Sequence, residues 1–186
     1  MTLVQKLALF DGKFFSTEGA PMKVHAGLVF MTNHPKFGKS AILRVRGVHS
    51  RDWKVEPYPG SCQLTLQAKF EEGKDYLTPL EAAAHATFGI EIVITHDALI
   101  NLNYSKKELR LVKNYGMFVP FESLRRMRSS IFDWPIRFVT EHHLSKIQSV
   151  ERYNPQVGIQ DSTVIAMFPD EIKALRIAFK KFHFAT

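Results

Sequence analysis

The chain has 186 residues, 45% hydrophobic and 23% charged, with a formal net charge of +7 and an isoelectric point near 9.5. The length suits one core rather than two, and the composition is that of a folding chain, not a disordered one. A mean hydropathy of −0.12 and the lack of any run near the ~18 uncharged apolar residues of a membrane helix exclude an integral helical membrane protein. The segment before Asp11 offers only LALF where a signal peptide needs a longer apolar run. The single cysteine, Cys62, supports neither an internal disulfide nor a cysteine-rich zinc site. A cytoplasmic protein is expected. The basic balance favours a polyanionic partner. Its cations come in short groups, Lys106-Lys107, Arg125-Arg126 with Arg128, and Lys180-Lys181, so no basic tail is indicated.

Taken in chain order, KLALFDGKFF (6–15) places Asp11-Gly12 between two apolar runs and predicts a tight hairpin. VHAGLVFM (24–31) and SAILRVRG (40–47) read as antiparallel strands joined by a turn containing Pro35 and Gly38. In CQLTLQAKF (62–70), Leu64, Leu66, Ala68 and Phe70 alternate with Thr65, Gln67 and Lys69, a period-two pattern with one buried face. Thr78-Pro79-Leu80-Glu81 predicts a helix start, with Thr78 as N-cap and Glu81 closing a capping box, and Gly89 ends that helix. Strands are expected at 90–94, at 108–121 with a break near Gly116, and at 135–140. A helix is expected over TEHHLSKIQSV, capped by Thr140, with Leu144, Ile147 and Val150 on its apolar side. Pro169, Asp170 and Glu171 open a last helix whose apolar stripe is Phe168, Ile172, Leu175, Phe179 and Phe182, with Lys180, Lys181 and His183 at its other end. The fold class is α/β (α+β), a mixed β-sheet sandwiched between helices.

Several chemical motifs fail. HPKFGKS ends like a phosphate-binding loop, but Asn33 stands where the first glycine belongs and a strand follows instead of a helix. None of the eight histidines forms a metal-binding pair on one helical face. Gly60-Ser61 lacks the second glycine of a nucleophile elbow.

Residues 53–90 carry the informative pattern. GLVF, ILRVRG, Trp53, Pro59-Gly60, Glu71-Glu72-Gly73, Leu80-Glu81-Ala82-Ala83 and Gly89-Ile90 follow one another in an order that resembles the Nudix family. DWPIRFVTEHHLSKI and FPDEIKALRIAF resemble the second half of such domains, so the likeness covers residues 22–182, with residues 1–21 as an N-terminal hairpin extension of one domain. The resemblance implies a Nudix-like mixed sheet between helices. In the family, glutamates of the box Gly-x5-Glu-x7-Arg-Glu-U-x-Glu-Glu-x-Gly-U hold Mg²⁺ ions that neutralise phosphate charge and activate water. With the last glycine on Gly89, the box positions carry Ala68, Lys74, Ala82, Ala83, Ala86 and Thr87. The box is degenerate and no catalytic residue is assigned.

The expected function is therefore binding of a nucleotide-like or RNA ligand by a Nudix-fold protein that lacks the standard metal-dependent hydrolysis and needs no cofactor. The resemblance offers a parallel in the Nudix-fold subunit of the eukaryotic polyadenylation cleavage factor, which lacks the metal glutamates and binds RNA. One alternative is an active phosphohydrolase with a displaced Mg or Mn site built from Glu71, Glu72, Asp75 and Glu81. The other is a non-catalytic scaffold subunit. Arg44 and Arg46, alternate residues on one strand face, are the first phosphate candidates, with Lys69 and Lys74 behind them. Trp53, Tyr58, Phe70 and Tyr76 are the aromatics that could stack on a base. No membrane partner is expected, and a homodimer is left open.

Overall fold

The computed structural model describes residues 23–49, 53–71, 73–105, 110–125 and 135–182. The Asp11-Gly12 hairpin, Glu72, Lys106-Lys107, Arg126, Arg128 and His183 lie outside them. A seven-stranded mixed sheet is built from β1 (Lys23–His34), β2 (Gly38–Val45), β3 (Cys62–Leu64), β4 (Leu66–Glu71), β5 (Leu99–Ser105), β6 (Arg110–Phe118) and β7 (Ile136–Thr140). A small parallel pair, β8 (Gln148–Ser149) with β9 (Ala166–Met167), stands apart from it. The helices are α1 (Leu77–Phe88), α2 (Phe121–Arg125) and α3 (Pro169–Lys181).

β1 is the centre of the sheet. It runs parallel to β6 along Lys23–Met31, while its other edge pairs antiparallel with β4 over its first half and β2 over its second. Both faces are covered, which is why VFMT (29–32) reads as continuous burial rather than alternation. Ala26, Leu28 and Phe30 point into a core roofed by α1, with Leu80, Ala84 and Phe88. Val29 and Met31 point into the opposite core roofed by α3, with Ile172, Leu175 and Phe179.

The alternation predicted for 62–70 is broken at Thr65. Leu64 belongs to the α3-side core, whereas Leu66, Ala68 and Phe70 pack on the α1 side. The reason is a change of partner: Cys62–Leu64 pairs with β2 and Leu66–Glu71 pairs with β1. At the fork the buried Thr65 hydroxyl accepts from the Phe30 N–H at 2.8 Å and donates to the Ile42 carbonyl at 2.6 Å. Thr65→Val keeps the shape but strands both backbone groups, and a buried unpaired polar group costs about 1–3 kcal/mol. The variant is expected to lose about 3 kcal/mol in denaturant unfolding, while Thr65→Ser stays close to the parent. An unfolding midpoint unchanged by the valine would refute the role of the hydroxyl.

Three other expectations are corrected. First, α1 begins at Leu77 without a side-chain cap on its N-cap residue, and the Asp75 carboxylate accepts from Leu77 N and Thr78 N at 3.0 and 3.3 Å. Glu81 closes no capping box; its Oε1 accepts from Ile94 N at 2.6 Å. Second, 90–94 is not a strand but a link that buries Ile90 and Ile94 in the α1-side core, and the pairing strand is β5. Third, the helix over 140–150 is a short 3-10 turn at Glu141–His143, after which Gln148 N turns to Ile165 O and the chain enters β8. Thr140 does form the reciprocal cap, its N–H donating to His143 Nδ1 at 3.0 Å.

The break expected near Gly116 is also absent, since β6 runs through it, whereas other predictions match: Gly89 closes α1 in the left-handed region at φ 64°, and α3 starts on Pro169 with Ile172, Leu175 and Phe179 buried. Cys62 is fully buried, and burial pushes its thiol up to about 11, so it is a core residue rather than a nucleophile.

Candidate ligand cleft

On the α3 side, the first half of β1 extends past the helix and leaves the sheet face uncovered. The pairing register aligns Gln67, Gly27, Asn114 and Asn101 across β4, β1, β6 and β5. One step along, it aligns Lys69, His25, Val112 and Asn103. All of these but Asn101 form the floor of a cleft of about 830 Å³, a size that suits a small ligand. A Cβ at Gly27 would meet the ends of the Asn114 and Leu64 side chains, so any other residue there would displace the Asn114 amide from its place.

The walls differ in charge at the two ends. Lys69, His25 and Arg110 line one end, on β4, β1 and β6. At the other, Arg44 on β2 and Arg46 just past its end both line the cleft, but carboxylates accompany them. Arg46 meets Glu56 at 3.4 Å, donates to Gln63 Oε1 at 3.1 Å and the Pro57 carbonyl at 3.2 Å, and lies 5.3 Å from the Phe168 ring centre. Asp170 and Glu171, at the start of α3, complete this end.

Among the lining residues, Asn114 Nδ2 and Glu171 Oε2 are buried polar atoms with no hydrogen-bond partner among the described residues. Their side chains are 2% and 3% exposed. Glu171 Oε1 is used by Gln67 Nε2 and, at 3.4 Å, by Leu64 N. Burial, with Asp170 adding to it, pushes the Glu171 carboxyl up to about 8, while Arg46 and the N–H groups of Leu64 and Phe168 pull the other way. Buried polar groups are rarely left unpaired in folded proteins.

The degenerate box positions divide. Ala68, Ala83 and Thr87 line the cleft, and Ala82 and Ala86 are exposed. Of the alternative metal ligands, Glu71 and Asp75 are exposed, Asp75 being committed to the helix start, Glu81 serves the backbone of Ile94, and Glu72 lies outside the described residues. Among the described residues no three His, Cys, Asp or Glu side chains are grouped to hold a metal ion. Magnesium needs a cage of hard oxygen ligands, and among the described residues Glu71, Asp75 and Glu81 do not form one. Lys74 sits exposed in the turn before α1, and Trp53, 79% exposed, packs near His49 outside the cleft. Tyr58, Phe70 and Tyr76 also lie outside it; Phe168 is the aromatic that lines it. The sequence reading missed His25, Arg110, Asn114, Glu171 and Phe168.

No protein-family sequence model matches the chain, and no curated protein sequence matches it. Its architecture does match solved structures. A mutT/nudix family protein from Listeria innocua is similar over 87% of this chain and 94% of its own, at 13% identity and a TM-score of 0.58. The NUDIX domain of Shewanella oneidensis NrtR, complexed with ADP ribose, is similar over 97% and 99%, at 14% identity and a TM-score of 0.51. A chain of the complex between the C-terminal domain of mouse MUTYH and human PCNA is similar over 86% and 88%, at 10% identity and a TM-score of 0.51. With the mixed sheet, the helix after the acidic turn and the closing helix all in that order, the chain has the Nudix fold.

Proposed function

We propose that the chain binds a phosphate-bearing nucleotide in this cleft, using protein cations where hydrolases of the fold use metal ions. The carrying observation is the lining of the cleft. The box helix contributes only the uncharged Ala83 and Thr87 to it, and strands β4, β1 and β6 contribute Lys69, His25 and Arg110. Lysine and arginine donors hold phosphate oxygens directly, without a divalent cation. The amides of Gln67 and Asn114 and the Glu171 carboxyl then face the base and sugar, where donors and acceptors are needed rather than charge. The NrtR domain complexed with ADP ribose makes a nucleoside diphosphate the first ligand to test.

Calorimetric titration with ADP-ribose and ADP, in EDTA and again with Mg²⁺ or Mn²⁺, tests the reading, with the products analysed afterwards. Equal affinity in the two conditions and intact ligand are expected. Metal-dependent cleavage would favour the displaced-site hydrolase, and no binding of either ligand would remove the nucleotide reading.

A further inference from the structure

The outer face of α3 carries a second feature that the cleft does not use. Lys173, Arg176 and Lys180 are exposed, while Ile172, Leu175 and Phe179 turn inward. At ~100° per residue the three cations fall within about 60° of one another and span about 10 Å along the helix axis. The loop after β7 adds to them. Arg176 donates to the Leu144 carbonyl at 3.5 Å, and exposed Lys146 and His142 lie on that loop with Nζ and Nε2 3.2 Å apart. The nearby acids are Glu141 on the loop and Asp170 at the helix start. Among the described residues, neither Lys173 nor Lys180 forms an ion pair with a carboxylate. Such a row of unneutralised cations is matched by a chain of evenly spaced phosphates, not by one anion.

We infer that this face of α3, with the Lys146 loop, holds the sugar-phosphate backbone of a single-stranded nucleic acid. The choice of a single strand rests on the cleft reading: Asp170, which lines the cleft, lies one turn before Lys173 on the same side of α3, so a strand with an unpaired nucleotide in the cleft is led toward the cations. The interaction is electrostatic and independent of sequence.

The test is fluorescence anisotropy with a short labelled RNA strand, the same strand as DNA, and the RNA duplex, each over a range of salt, for the parent and the K173A/R176A/K180A variant. Alanine is the best helix former, so the fold is kept. The single strand is expected to bind the parent with an affinity that falls steeply with salt. The variant should bind about 10- to 100-fold more weakly, with the log–log salt slope reduced in magnitude by about 2, at ~0.7 per lost phosphate contact. Its ADP-ribose affinity should be unchanged, which separates failure of the α3 surface from failure of the cleft. Equal strand affinity in parent and variant, preference for the duplex, or binding to anionic phospholipid vesicles in place of the strand would overturn the proposal.

Discussion

Replacing Lys69 and Arg110 together by alanine is expected to weaken ADP-ribose binding at least a hundredfold, the larger effect on affinity of the two cation pairs in the cleft. Hydrogen bonds to charged groups contribute about 1.5–3 kcal/mol each, and 1.4 kcal/mol is tenfold in affinity. Both side chains line the end of the cleft where the box helix supplies no charge. Replacing Arg44 and Arg46 should act differently. Arg46 already bridges Glu56, Gln63 and the Pro57 carbonyl, so its loss loosens the 56–63 segment and lowers stability more than it lowers phosphate affinity. The same titration checks both variants, with thermal unfolding alongside. If K69A/R110A binds as the parent does while R44A/R46A does not, the phosphate sits at the opposite end and the polarity assigned to the cleft is reversed.

How far this cleft was legible in the sequence depends on which interactions build each part. The helix α3 was readable because Ile172, Leu175 and Phe179 repeat at helical spacing behind Pro169, a purely local signal. Arg44, Arg46 and Lys69 were readable for the same reason, since alternation along one strand fixes which side chains share a face. The fork at Thr65 was not. Nothing local separates it from a threonine in a regular strand, and its function comes from two strands 35 and 23 residues away. β5 was missed because Asn101 and Asn103 interrupt its apolar run, and Asn103 belongs to the floor of the cleft.

Asn114 and Arg110 were missed for a related reason. They reach the site through the parallel pairing of β1 with β6, about 87 residues apart, which no periodicity encodes. The usable signal was present but unassigned: polar residues at 101, 103 and 114 inside otherwise apolar strands. Glu171 was read only as a complement to the helix dipole. The structure keeps it in the first turn and buries it, which changes its role.

That burial makes Glu171 the source of the second large effect, a fall in stability as the pH rises. The carboxyl is raised from the ordinary 4.5 to about 8 in the folded chain. Between those values the folded state holds a proton that the unfolded state has released, so the folded state binds more protons and stability declines with pH across the window. The contribution is full below about pH 4.5 and gone above about pH 8, and over the window it amounts to several kcal/mol. Glu171→Gln keeps the shape and the oxygen that serves Gln67 and Leu64, but removes the ionisation. It should flatten the decline between pH 5 and 8 and leave the variant more stable than the parent at the alkaline end. Asp75 and Asp161 do not confuse the measurement. Hydrogen bonds from Thr78 and Thr163 hold them below their ordinary 3.8, so they act only at more acid pH. Denaturant unfolding of both proteins at several pH values decides the matter. His143, held below its ordinary 6.5 chiefly by burial, adds the same rise to both proteins, so a glutamine variant that follows the parent's curve is the result that would mean the Glu171 carboxyl is ionised inside the fold.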